Sequence, residues 1–429
     1  MDALVNGGYS TVATAPSSPT AGTTLVVQAG DGAKFPQTGS FDVVLCPVGQ
    51  LPLFFGTNKN AEICRATVST DTLTLVRAQY GTTAMSVAVG WAVDNAVTAN
   101  LLSQLVAVSS ASYAGKNAVI NGGMDIWQRG TSFVSMAGTA YTADRWQIDS
   151  GDTNWTISRV ASGLTGFQYA LRYQRNSGST STAVAALAQS IETINSVPFA
   201  GQTVTLSFRV RAGANYSPTS SNLSVHFSYG TGTDQGVLSG FTGQADLVNN
   251  GITLTTSWQT FTFTVAVPAT ATELGFWVQE FATGTAGTND YFDITGVQLE
   301  LGSVATPFSR AGGSIGGELA LCQRYYYQES SGAAVSYASS SNQTATSASV
   351  IVNFPVTMRA VPSFTSAPAT QFSIISGGAA FAASALALGT ASTYNASITV
   401  TMATATAGQA GYLESNSTTA SFLAFSAEL

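Results

Sequence analysis

His226 is the only histidine of the chain, so an imidazole-activated nucleophile would have to be built on it. It stands in Ser224-Val225-His226-Phe227-Ser228-Tyr229, an alternating run that puts it on one face of a strand, with no GxSxG elbow beside it. A structural histidine is expected. Glycoside hydrolysis needs two acids flanking a sugar bond. Glu192, Glu280, Asp290 and Asp293 are the candidates in principle, and sequence does not place any two of them at a given separation. The expectation is a protein without catalysis. Cys46, Cys64 and Cys322 are odd in number, widely spaced and free of CxxC pairs, which points to buried thiols and not to a disulfide framework or zinc site.

Sugar binding is the sharper hypothesis for the tryptophans, and core packing is the role such residues more often have. Trp127, Trp146, Trp155, Trp258 and Trp277 can lie against the apolar faces of pyranose rings while Asn, Gln and Asp read the hydroxyls. Core packing is the competing role, above all for Trp258 and Trp277, which stand in alternating runs. Tyr337, Asn342, Tyr394, Asn395 and Tyr412 are a second set, aromatic or amide residues in loop-like stretches.

The composition narrows the partners. Of 429 residues only 9% are charged, against roughly 25% in an average soluble protein. Fifteen Lys and Arg face 22 Asp and Glu, a net charge of −7, so no basic footprint exists for a nucleic-acid backbone. No run of about 18 apolar residues predicts a membrane span. Met1-Asp2-Ala3 lacks the basic and apolar regions of a signal peptide. A soluble chain made in the cytoplasm is expected.

Positioning such residues falls to strands. Residues 1–96 alternate in short runs such as Thr72-Leu73-Thr74-Leu75-Val76, and predict a small β-domain. Residues 97–113 place Leu101, Leu102, Leu105 and Val108 at helical spacing, a connector that packs either on symmetry mates or on the neighbouring β-domain. Residues 114–310 hold about eight strand-like runs; in one, Val204, Leu206, Phe208 and Val210 face one way and Arg209 and Arg211 the other. That pattern predicts a sandwich or jelly roll. Residues 311–327 separate this block from 328–429, which holds strand-like runs and predicts a folded β-segment in which Arg359, Glu414 and Glu428 are the only charges after Glu329. The predicted class is all-β, with short connecting helices.

Asn121-Gly122-Gly123-Met124-Asp125-Ile126-Trp127-Gln128-Arg129-Gly130, then Tyr141-Thr142-Ala143-Asp144-Arg145-Trp146, and the closing run from Tyr291 to Gly302 with Ala305-Thr306-Pro307-Phe308 resemble the carbohydrate-binding-module-like jelly roll of bacteriophage tail fibre proteins. Ala61 to Arg65 with Asp71 to Ala84 looks like the β-domain that begins such fibres. Gly317 to Tyr327 is similar to the junction helix before their tips, and Phe354 to Phe364 to the first strands of those tips. The resemblance implies a virion protein, an elongated parallel homotrimer. Its N-terminal domain would attach to a tail, baseplate or neck protein, and its tip would contact a bacterial surface polysaccharide or protein. In related modules an Asp on the final strand helps hold a structural calcium, and Asp293 occupies the matching place. Small residues and sparse charge suit close packing of three chains. A structural connector without a receptor role is the alternative; a depolymerising tailspike, which usually carries a repetitive β-helix, finds no repeat here.

Overall fold

The computed structural model describes residues 9–49, 60–95, 115–331, 334–416 and 421–429. The expected helical connector at 97–113 lies outside the described residues. Two compact units divide the chain, Met1–Ser110 and Ala111–Leu429.

In the first unit, β1 (Tyr9–Thr14), β2 (Thr24–Val27), β3 (Phe41–Cys46), β4 (Glu62–Ser69), β5 (Thr72–Val76) and β6 (Ala92–Asp94) close a barrel in the order β1-β2-β5-β4-β3-β6. Ser69 pairs with Thr72, leaving a two-residue turn in which Thr70 takes φ of 52°. Alternate residues such as Leu25, Val27, Leu73 and Leu75 fill the barrel. Glu62, buried, accepts from Arg77 at 2.6 Å and from the Ala78 and Met85 N–H groups.

The second unit opens with β7 (Ser132–Tyr141), β8 (Gln147–Leu164), β9 (Phe167–Arg175), β10 (Val184–Ile191), β11 (Thr203–Ala212), β12 (Asn222–Gly230), β13 (Ala245–Thr253), β14 (Gln259–Ala266), β15 (Glu273–Phe281) and β16 (Tyr291–Leu301). Their pairing order is β13-β12-β15-β10-β8-β9-β16-β11-β14, with β7 added along β8. The long β8 joins two halves: its start pairs with β10 and its later part with β9. The halves close on each other, since Phe276 of β15 packs on Phe208 of β11 with ring centroids 5.4 Å apart. The predicted alternation of β11 is seen directly, with Val204, Leu206, Phe208 and Val210 in this core. This is the expected β-sandwich.

A helix, α1 (Ile315–Gln323), follows, capped by Ser314, whose side chain accepts from the Gly317 N–H at 3.1 Å. It ends earlier than the sequence suggested, because Tyr326 and Tyr327 are already in β17 (Tyr326–Ser331). β17, β20 (Ser363–Ser366) and β25 (Ser421–Ser426) make a three-stranded sheet. β18 (Ser336–Asn342), β19 (Ser347–Asn353), β21 (Phe372–Ser376), β22 (Ala379–Ala391), β23 (Asn395–Met402) and β24 (Ala410–Ser415) close a second barrel. The low-complexity end of the chain is therefore folded. Val350, Phe372, Ile398, Leu413 and Phe425 are among its core.

Candidate functional site

The five tryptophans separate by burial. Trp146 and Trp155 are fully enclosed in the sandwich core, and Trp127 is 8% exposed with its Nε1 donating to the Met124 carbonyl at 2.8 Å. These three rings have no face to offer a sugar, which corrects the expectation for them: they sit at inward strand or loop positions where aromatic volume fills the core. Trp258 and Trp277 are half-buried on outer faces.

Trp277 stands in the better site. On the outer face of the β13-β12-β15-β10-β8 half, strand register lines up Gln147, Ala188, Trp277, His226 and Asn249 in one rung. The adjacent rung is Asp149, Ala186, Gln279 and Ser224. Ala186 of β10 leaves a low floor between taller neighbours, while Ala188 is covered by the β12–β13 loop. Asp149, Ala186, Trp277 and Gln279, with Leu238 and Gln244 from the β12–β13 loop, line a cleft of about 490 Å³. That is within the usual size of small-ligand pockets, roughly 300–1,000 Å³. The loop is anchored, with the Val237 N–H donating to Ser190 Oγ at 2.8 Å and Val237 and Phe241 packed on Ala188. Gly275 permits this approach, since a Cβ there would lie 2.7 Å from the Val237 Cβ.

His226 supports the ring of Trp277. The two stack with centroids 3.7 Å apart and planes 10° off parallel, and His226 Nδ1 lies 3.0 Å from Asp246 Oδ2. Ser228 completes a Ser-His-Asp group, but its connections are not those of a nucleophile. Ser228 Oγ donates to Asp246 Oδ1 at 2.6 Å and accepts from Trp277 Nε1 at 3.1 Å, while His226 Nε2 is buried without a partner among the described residues. The arrangement orients an indole and does not prime a hydroxyl for attack.

The candidate acids also go elsewhere. Glu280 and Asp290 come together in the sandwich interior, each 1% exposed, beside Arg175 and Tyr216. Burial pushes the Glu280 carboxyl up to about 8, opposed by the Tyr216 hydroxyl and assisted by the charge of Asp290. Glu192 accepts from Arg324 at 2.7 Å and from the Tyr325 hydroxyl at 2.8 Å. Neither arrangement faces an open cleft. Asp293 has both oxygens occupied by guanidinium groups, with Arg172 at 2.8 and 3.0 Å and Arg211 at 2.9 Å. A calcium ion needs six to eight oxygen ligands and tolerates no such cationic surround, and among the described residues no cluster of three or more acidic, His or Cys side chains could hold a metal. The residues at Asp293 do not fit calcium. All three cysteines are buried.

The motif at 121–146 forms a joint. Asn121 Nδ2 donates to the Ile126 and Asp144 carbonyls, its Oδ1 accepts from the Asp125 and Ile126 N–H groups, and its own N–H donates to the Glu318 carboxylate of α1. Gly122 is required, because a Cβ would lie 2.0 Å from the Val297 carbonyl oxygen. Arg145, 2% exposed, pairs with Glu428 and stacks over Tyr325 at 3.6 Å. Arg129 also pairs with Glu428, at 2.9 Å, and lies 3.5 Å over Tyr326. Burial raises the Asp144 carboxyl to about 6 despite Arg129 and Gln128. Arg359 joins Asp234 at 3.0 Å. Sequence reasoning did not assign this joint. The available signal was charge scarcity, since two of the three charges after Glu329 are spent here.

The second candidate set is dispersed. Tyr337 is buried against Phe372 with its hydroxyl on Ser421 Oγ, and Asn342 is 2% exposed with its Nδ2 on Ser376 Oγ and the Thr406 carbonyl. Both serve the barrel, a correction to their reading as contact residues. Tyr394 and Asn395 are exposed at the β22–β23 turn, next to Thr393, which accepts from the Met358 N–H. Met358 adjoins Arg359 of the joint. Tyr412, partly exposed, is on β24 between Ser339 and Ile375.

No family model and no curated protein matches the chain. Among solved structures it is similar to a family 4 carbohydrate-binding module, with 20% identity over 42% of this chain and 98% of the module and a TM-score of 0.27. It is similar to a family 22 xylan-binding domain of Paenibacillus barcinonensis, with 15% identity over 46% of this chain and 100% of that domain, TM-score 0.27. The enzymatically active domain of bacteriophage CBA120 tailspike protein 4 is similar at 15% identity, over 43% of this chain and 21% of that one, TM-score 0.28.

Proposed function

We propose that the protein is a non-enzymatic, glycan-recognising component of a bacteriophage tail fibre, a homotrimer in the virion that attaches the particle to a bacterial surface. The observation that carries the reading is the cleft beside Trp277, where an indole fixed by His226 stands over an alanine floor with Asp149, Gln279 and Gln244 at its rim. An aromatic face and a few polar groups on a strand scaffold suit a sugar ring better than they suit bond cleavage. The phage assignment is supported by the resemblance of the motifs at 121–130 and 141–146. The N-terminal barrel would meet the tail, baseplate or neck, and no nucleic acid or membrane takes part.

The test is adsorption. Particles carrying Trp277→Ala should assemble normally and bind host cells or purified surface polysaccharide at least about tenfold more weakly, the loss of one good stacking contact and its burial. Unchanged adsorption would remove the cleft from the reading. The joint favours a second reading, a structural connector, since so many of the chain's charges hold its parts together. A connector predicts that adsorption survives Trp277→Ala.

A further inference from the structure

We infer that the outer face of the other sheet half, β9-β16-β11-β14, binds an acidic polysaccharide. This surface is on the opposite side of the sandwich from the Trp277 cleft, and the inference goes beyond the function proposed for that cleft. Strand register sets Arg172 opposite Asp293 and Asp293 opposite Arg211, so three strands carry one unbroken charged rung. In the neighbouring rung Arg209 stands between Thr295 and Thr260. Two guanidinium groups thus flank one carboxylate and a third stands in the next rung, a local charge of 3 − 1 = +2 in a chain whose net charge is −7. The other acid on these outward positions, Glu300, is occupied by Lys116 and Thr306 at the covered end of the sheet.

Each of these arginines lies over an aromatic ring. Arg172 lies 3.5 Å over Tyr291, Arg211 4.8 Å over Trp258, and Arg209 4.7 Å over Phe167. Trp258 is itself fixed, donating from Nε1 to the Ser162 carbonyl at 3.0 Å. Each guanidinium carries five N–H donors, more than a single carboxylate partner uses. Asp293 takes bonds from Arg172 and Arg211 only through Nε and Nη2. Arg209 makes no hydrogen bond or ion pair among the described residues, and the Arg172 and Arg211 side chains are 21% and 26% exposed. A row of guanidinium donors beside the exposed Thr260 matches a polymer that carries carboxylates and hydroxyls along sugar rings. An acidic peptide would use the charge but offers no row of hydroxyls to the remaining donors.

The full chain is tested for retention on immobilised polygalacturonate, dextran and poly-glutamate at low salt. The expected result is preferential retention on polygalacturonate, weakened by salt because the charges are partly exposed. Arg209→Ala and Thr260→Glu should each weaken it about tenfold, the effect of losing or neutralising one charged donor. Thr260 is exposed and directly opposite Arg209, so its replacement leaves the core intact and keeps the test independent of folding. Trp277→Ala should leave polygalacturonate binding unchanged, which separates failure of this site from failure of the cleft. Equal retention on dextran or poly-glutamate, or binding indifferent to both outer-face variants, overturns the inference.

Discussion

At the scale of single residues, burial sorts groups of the same type into different work. Trp155 and Trp277 are both strand tryptophans, yet the first packs edge-on to Tyr173 at 5.5 Å inside the core and the second carries His226 on its ring at the surface. Trp155→Ala should therefore cost about 3–5 kcal/mol of stability, read by denaturant melting, whereas Trp277→Ala should cost less and act on glycan binding. Glu280 gives a pH signature. Its folded value of about 8 lies above its ordinary 4.5, so the folded state holds a proton that the unfolded chain releases. Stability then falls as pH rises from about 4.5 to about 8. Glu280→Gln should flatten that decline in a melting-temperature series and raise the melting temperature more at pH 8 than at pH 5; an unaltered slope would count against a protonated Glu280.

Among elements, the sequence was legible wherever one strand face is buried and the other wet. β11 put its apolar residues Val204, Leu206, Phe208 and Val210 in the core, and β23, with Ile398 and Val400 inward and Ser397 and Thr399 outward, did likewise within a segment poor in charge. Less legible was the loop between β12 and β13, because its place depends on Gly275 of a distant strand. Gly275→Val should push Val237 away, lower the melting temperature and widen the cleft, seen as weaker glycan binding together with faster proteolysis in 231–244. Proteolysis and binding both unchanged would mean that the loop accommodates the added bulk. The short junction helix was foreseen, but not the switch to strand at Tyr326, which is imposed by pairing with Ser426 of β25, a hundred residues later.

For the whole molecule, the joint between the sandwich and the C-terminal barrel rests on buried ion pairs. Glu428→Ala leaves the guanidinium of Arg145 enclosed without its carboxylate, and a loss of about 3–5 kcal/mol is expected. The measurement is a melting curve, with Glu428→Gln as the variant that keeps a hydrogen-bond acceptor but not the charge. Light scattering of the full-length chain should give a trimeric mass. A monomer would sink the trimer.

The sparse charge, the period-two alternation and the absence of metal or nucleophile motifs come from the sequence alone, because a half-buried strand writes its environment into every second residue. Which tryptophan is open, which arginines share Asp293 and why a nearly charge-free segment keeps Arg359 and Glu428 were decided only by tertiary structure. Those relations join residues far apart in the chain, and register across a sheet is a property of the partners and not of either strand.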